Sequence, residues 1–127
     1  MKLYTIGYAK YQTLPRLLAV IPPEVIIIDV RRNPNCGWNP EFCAKFLQSN
    51  IGTRYRHCPE LGNQSKTSTY VAHEKAAACI RTLLQEMLPG HEFCLLCWEQ
   101  DHRNCHRDVI AERMRVRSWG CLEIVHL

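Results

Sequence analysis

Residues 93–107 read Phe-Cys-Leu-Leu-Cys-Trp-Glu-Gln-Asp-His-Arg-Asn-Cys-His-Arg. An apolar, strand-like run ends in Cys97 and Glu99, and Cys105-His106-Arg107 opens a stretch that reads as a helix. The first turn of a helix leaves backbone N–H groups unpaired and carries a partial positive charge. Such a start attracts an anion and favours a thiolate over a thiol. Cys105 is therefore a candidate activated thiol and His106 its partner in chemistry or positioning. Arg107 is a candidate for holding charge on a substrate, and Glu99 for a general base. The plainer reading is a buried cysteine, a capping histidine, a solvated arginine and an exposed loop glutamate.

Asp29 is the second candidate base. It interrupts the aliphatic run Val25-Ile26-Ile27-Ile28-Asp29-Val30, and a carboxylate inside a buried strand must be paired or hydrogen-bonded. Arg31 and Arg32 follow at once, either to serve Asp29 or to meet an anionic ligand. Tyr55-Arg56-His57 forms an aromatic-basic cluster, with Tyr8 and Trp38 on other loops. Tyr8 and Tyr55 could stack on a nucleotide or an extruded base, or simply line the surface.

Two rival motifs lie inside residues 94–106. Cys94, Cys97 and His102, with Cys105 or His106, approach the spacing of a zinc knuckle. Against this, residues three apart in a strand point to opposite faces, so Cys94 and Cys97 diverge. A smaller set of Cys97, Cys105 and His106, joined by Glu99, remains a candidate site for zinc or another divalent metal. Cys97 and Arg103 also match the C-x5-R loop of thiol phosphatases. Glu99 and Asp101 within that loop would repel a dianion, and it has no glycine.

The elements that must position these groups alternate. Strands are expected at residues 2–7, 25–30, 53–57, 92–97 and 121–126. Between them, helices are expected at residues 14–21, 40–50, 70–88 and 105–117, with Thr13, Asn39 and Asn104 as caps. The unbroken apolar run at residues 25–28 fits a strand covered on both faces. We expect a single three-layer α/β domain over residues 1–127. Its mostly parallel, five-stranded sheet carries helices on both faces. Strand ends at Gly7, Asp29, His57 and Cys97 would then share one edge, where such sheets bind ligands.

The chain's 127 residues suffice for one core. Its net charge of +4 is compatible with an anionic partner without demanding one. Eight cysteines would suit a secreted disulfide scaffold, but no secretory signal is recognisable and several of them lie within apolar periodic segments. A reducing, cytoplasmic setting is the expectation. No apolar run approaches the roughly 20 residues that span a bilayer, so no membrane partner is expected.

The same residues carry a resemblance along the whole chain. Its pieces are Thr5-Ile6-Gly7-Tyr8, Asp29-Val30-Arg31-Arg32-Asn33-Pro34 and Asn39-Pro40-Glu41-Phe42. They continue with Tyr55-Arg56-His57, Glu60-Leu61-Gly62, Leu96-Cys97-Trp98-Glu99, Cys105-His106-Arg107 and Ile124-Val125-His126-Leu127. In this order and spacing the chain resembles the DUF488 family, small α/β proteins with no settled reaction. The resemblance implies a shared pocket built from Asp29, Arg31, Cys97, Glu99, Cys105, His106 and Arg107. The chain departs from the pattern at Ala9, at Cys36-Gly37 and at Asn63, which weakens the phosphate-gripping capacity of those loops. The expected function is an enzyme acting on an anionic substrate, a nucleotide or nucleic acid. In it Asp29, Glu99, Cys105 and His106 do chemistry, while Tyr8, Arg31, Arg32, Tyr55 and Arg107 bind. The alternative is a non-catalytic, metal- or thiol-containing module that binds nucleic acid or protein.

Overall fold

Strands and helices alternate as β1 (Lys2–Gly7), α1 (Leu14–Val20), β2 (Ile26–Asp29), α2 (Ala44–Ile51), β3 (Tyr55–His57), α3 (Ala76–Met87), β4 (Phe93–Cys97), α4 (His106–Arg117) and β5 (Glu123–His126). The computed structural model describes every residue except 36–38, 66, 68, 102 and 104. Trp38 as a stacking ring, His102 as a metal ligand and Asn104 as a cap thus lie outside the described residues, as do Cys36 and Gly37.

All strand pairs are parallel, in the order β3-β2-β4-β1-β5. The pleat of β2 explains why its aliphatic run is unbroken. Ile27 packs into one layer beside Leu14 and Leu17 of α1 and Leu47 of α2. Ile28 packs into the other beside Ile80, Leu83 and Met87 of α3 and Ile110 and Met114 of α4. The sheet is therefore covered on both faces, as expected for a three-layer α/β domain. Among the described residues no helix is long and apolar enough to cross a membrane.

The chain first moves from β1 outward to β2 and β3 with its helices on one face. It then returns to β4 and β5 with its helices on the other. The reversal puts β4 between β2 and β1, the kind of switch point beside which such sheets bind ligands.

Several element bounds differ from the expectation. The strands expected at residues 25–30, 53–57 and 121–126 are shorter, and a 3-10 turn at Gly52–Arg54 delays the start of β3 to Tyr55. The helix anticipated at residues 70–88 begins at Ala76. Asn63 Oδ1 accepts from the backbone N–H of both Ser65 and Val71 at 3.0 and 2.8 Å, which holds the preceding residues as a loop. The helix anticipated at residues 40–50 is divided into a single 3-10 turn at Pro40–Phe42 and α2. Cys43 between them is extended, and the Ala44 N–H donates to the Pro34 carbonyl at 3.0 Å.

Candidate active site

Asp29, the last residue of β2, is 0% exposed. Its Oδ1 accepts from the Arg31 backbone N–H at 3.1 Å and from Arg31 Nε at 2.8 Å. Its Oδ2 accepts from Arg31 Nη2 and from the Tyr55 hydroxyl, both at 2.6 Å. A buried carboxylate is thus neutralised by the nearest cation in the chain, folded back in a two-pronged pair. Burial, then the charge on Asp29, pushes the Tyr55 phenol up, so it keeps its proton and donates it. Arg31 Nη2 also donates to the Phe42 carbonyl at 2.7 Å, and the guanidinium lies 5.1 Å from the Tyr8 ring centroid. Tyr8 in turn stacks on Phe42 at 4.5 Å. Tyr8, Arg31 and Tyr55, expected at the substrate, are instead interior groups of one packed network. Arg32 beside them is exposed.

Arg107 is also an interior group, 1% exposed. It donates from Nη1 to the Glu99 carbonyl at 2.6 Å and from Nη2 to the Gln100 carbonyl at 3.3 Å. Its buried Nε has no hydrogen-bond partner among the described residues. The Glu99 carbonyl rests directly on Gly7, where an added Cβ would stand 1.7 Å from it. The Ala9 N–H holds the next carbonyl back, that of Trp98, at 3.1 Å. The loop after β4 is therefore laid across the end of β1 and clamped from α4. Arg107 sets the position of Glu99.

Cys97, Cys105 and His106 come together in front of this loop. The two cysteines are 4% and 5% exposed. Cys97 Sγ donates to Glu99 Oε2 at 3.4 Å. His106 Nδ1 lies 3.7 Å from Cys97 Sγ and 4.0 Å from Cys105 Sγ. Its Nε2 lies 2.8 Å from the Val30 carbonyl. A carbonyl only accepts, so Nε2 carries a hydrogen; Nδ1 turns a lone pair toward the sulfurs when the ring is neutral and an N–H toward them when it is protonated.

The two thiols polarise one another. The neighbouring Cys97 thiol, aided by His106 and the Arg107 backbone N–H, outweighs burial and draws Cys105 down to about 3. Cys105 and burial push Cys97 well up. Burial and the Cys105 charge raise Glu99. Burial opposes charge on His106, but the Cys105 sulfur and the Val30 carbonyl outweigh it and leave it raised. Tyr70 stacks on the imidazole at 5.6 Å, with the Arg113 guanidinium 5.3 Å from the Tyr70 ring. Tyr70 was not singled out from sequence. The sequence puts it at the start of a helix, whereas in the structure it lies in the connection before α3 and the fold carries it to His106.

The donor chemistry of this cluster fits zinc. The Cys97, Cys105 and His106 donor atoms all lie within 4.8 Å of one another. The Nε2–H to carbonyl bond is the usual outer support of a metal-bound imidazole. Glu99 stands ready beside Cys97. Cys94 belongs to the opposite layer, with Leu14 and Leu47, so the knuckle spacing does not close. Arg103 is forked onto Asp101 at 3.0 and 2.9 Å, which commits the arginine of the C-x5-R spacing to a carboxylate.

Beside the ends of β2 and β3, Arg32, His73 and Lys75 line a cavity of about 280 Å³ with Pro59, Glu60 and Gln64. Trp98, next to Glu99, is 47% exposed. A family model described as a domain of unknown function, DUF488, matches residues 23–114. No curated protein and no solved structure matches the chain.

Proposed function

The chain belongs to the DUF488 family, whose model spans Asp29 through Arg107, and from that premise we propose that the carboxyl edge of its sheet is the active site of a thiol enzyme acting on an anionic substrate. One observation carries the reading: Cys105 stands immediately before α4, with its Sγ within 4.8 Å of Cys97 Sγ and 4.0 Å from His106 Nδ1. Cys105 is the nucleophile, and His106 holds or returns its proton at Nδ1. Glu99 is the carboxylate available for proton transfer, because both oxygens of Asp29 are saturated by Arg31 and Tyr55. Arg107 positions Glu99, and Asp29 positions Arg31.

Binding of the anion falls to Arg32, His73 and Lys75, which line a cavity near the same edge. A nucleotide or nucleic acid is the substrate class we favour. The net charge of +4 supports it, and Trp98 offers an aromatic ring beside Glu99 for a base to stack on. The described cysteines are free thiols, and we assign the protein to the reducing cytoplasm on that ground.

The test is a turnover screen over nucleoside phosphates, short single-stranded oligonucleotides and activated esters. Wild-type turnover that disappears in Cys105→Ser and His106→Ala, with far-ultraviolet dichroism unchanged, is the expected result. Undiminished turnover in Cys105→Ser would sink the proposal.

A second reading has its own observation, the Nδ1 lone pair facing two sulfurs at metal-ligand spacing. It is a non-catalytic module that holds zinc through Cys97, Cys105 and His106 and binds nucleic acid or protein. About one zinc per chain in protein purified without added metal, lost on Cys97→Ser, would favour it.

A further inference from the structure

A second pair of thiols lies outside the site just described. Cys58 follows β3 directly and is buried, with its backbone N–H held by the Asp29 carbonyl at 3.0 Å. Cys79 stands near the start of α3 and is half-buried. Cys79 packs against the buried layer that contains Cys58, between strand and helix, and each thiol is the other's strongest polar influence. Both line an open cavity of about 350 Å³, with Arg56, Glu60, Lys75 and Glu86 around them. A cysteine pair that only filled the core would be sealed from solvent. This one opens on a cavity lined by charged groups of both signs.

We propose that Cys58 and Cys79 are a redox-modifiable dithiol, oxidised by a small hydroperoxide to a disulfide that joins β3 to α3. Cys79, the more accessible sulfur, reacts first. Its thiolate attacks the hydroxyl oxygen of the peroxide; the S–O bond forms, the O–O bond breaks, and hydroxide or alkoxide leaves and is protonated to water or an alcohol. Cys58 then gives up its proton and attacks the Cys79 sulfur. The S–S bond forms, the S–O bond breaks and a second oxygen leaves as water. Two thiols lose two electrons and the peroxide gains them. The order agrees with the charge preference of the pair. Cys79 and burial push the Cys58 thiol up, while Cys58 draws the Cys79 thiol down. The early turns of α3 favour a thiolate at Cys79 in the same sense.

The bond would also close the connection between Cys58 and Cys79. That connection carries Tyr70, the ring stacked on His106. Oxidation at this pair would therefore staple the segment that covers the proposed active site. The pair itself uses none of Cys97, Cys105 or His106.

The experiment treats the reduced full-length protein with one equivalent of hydrogen peroxide. The remaining thiols are then alkylated and peptides are mapped without reduction. The expected result is a Cys58–Cys79-linked peptide that forms equally in Cys105→Ser and disappears on adding dithiothreitol. Cys79→Ser should remove the linked peptide and leave Cys58 fully alkylated. Recovery of both Cys58 and Cys79 as alkylated thiols overturns the proposal, whether or not Cys97 and Cys105 have joined. So does oxidation of Cys79 to a sulfinic acid without a link. Because the readout is a cross-link and not turnover, failure here leaves the thiol-enzyme reading standing, and loss of that reading leaves this one.

Discussion

Cys97 and Cys105 show how one contact can divide the behaviour of two identical side chains. Cys105 is drawn down to about 3, and Cys97 is pushed well up. In the metal-free protein, the thiolate absorbance of Cys105 should therefore persist from neutral pH down to about pH 4 and vanish below pH 3. It should be missing in Cys105→Ser. Cys97 is the largest cause of the depression, so Cys97→Ala should move the titration upward toward an ordinary thiol. An unchanged titration in Cys97→Ala would mean that the helix start and His106 suffice. The neighbouring carboxylates divide their roles in the same local way. Asp29 is enclosed by four hydrogen bonds from two residues, whereas Glu99 faces the Cys97 thiol. Asp29→Ala leaves the Arg31 guanidinium buried without its partner and should cost about 3–5 kcal/mol. Tyr55→Phe removes one hydrogen bond to a charge and should cost about 1.5–3 kcal/mol. Urea unfolding of the two variants checks the order; equal costs would show that Arg31 is satisfied by the Phe42 carbonyl alone.

Between elements, the loop from β4 to α4 has the least freedom. It is trapped between Gly7 below and Arg107 behind. Gly7→Ala would place a methyl carbon 1.7 Å from the Glu99 carbonyl oxygen, and backbone cannot swing aside as a side-chain tip would. We expect a loss of about 1–3 kcal/mol or more, together with displacement of Glu99 from Cys97. The second effect separates this variant from a merely destabilised one, and an altered Cys97 titration in still-folded protein would report it. No reading of the sequence reaches this contact, because it depends on which strand lies beside β4. What could be read was the alternation itself, through the unbroken Val25–Ile28 run and Thr13 ahead of α1, whose hydroxyl does accept from the Arg16 N–H at 3.4 Å. Asp29 was also legible, as a carboxylate in a run that had to be buried. Its meaning was not, since Arg31 could point inward or outward with equal chemical sense. The start of α3 was misplaced because Tyr70, Val71 and Ala72 extend the apolar pattern toward the loop. Asn63 then takes the Val71 N–H for a turn, a competition that periodicity does not register.

At the level of the whole molecule, the two helical layers do different work. The layer under α3 and α4 contains Cys58, Cys97 and Cys105, with Cys79 packed against it. The layer under α1 and α2 contains Tyr8, Phe42 and Tyr55, which hold the Asp29–Arg31 pair. Parallel crossovers that reverse at β4 put both layers in reach of one edge. The partition is what the strand order makes testable. Leu17 and Leu83 are both fully or almost fully buried, on α1 and α3 respectively. Truncating either to alanine leaves a cavity and should cost about 2–5 kcal/mol. The two costs should be similar, but the consequences for the thiols should not be. Leu83→Ala loosens the layer that holds both cysteine pairs, so native-state alkylation of Cys97 and Cys79 should accelerate beyond what global unfolding allows. Leu17→Ala should raise alkylation only in proportion to its unfolded fraction, because its cavity opens on the far side of the sheet. Denaturant titrations supply the unfolded fraction, and peptide mapping after timed alkylation supplies the site rates. If both variants follow the unfolded fraction alone, the two layers open as one unit. The thiol chemistry would then be protected by the sheet as a whole, with no separate role for the layer that contains it.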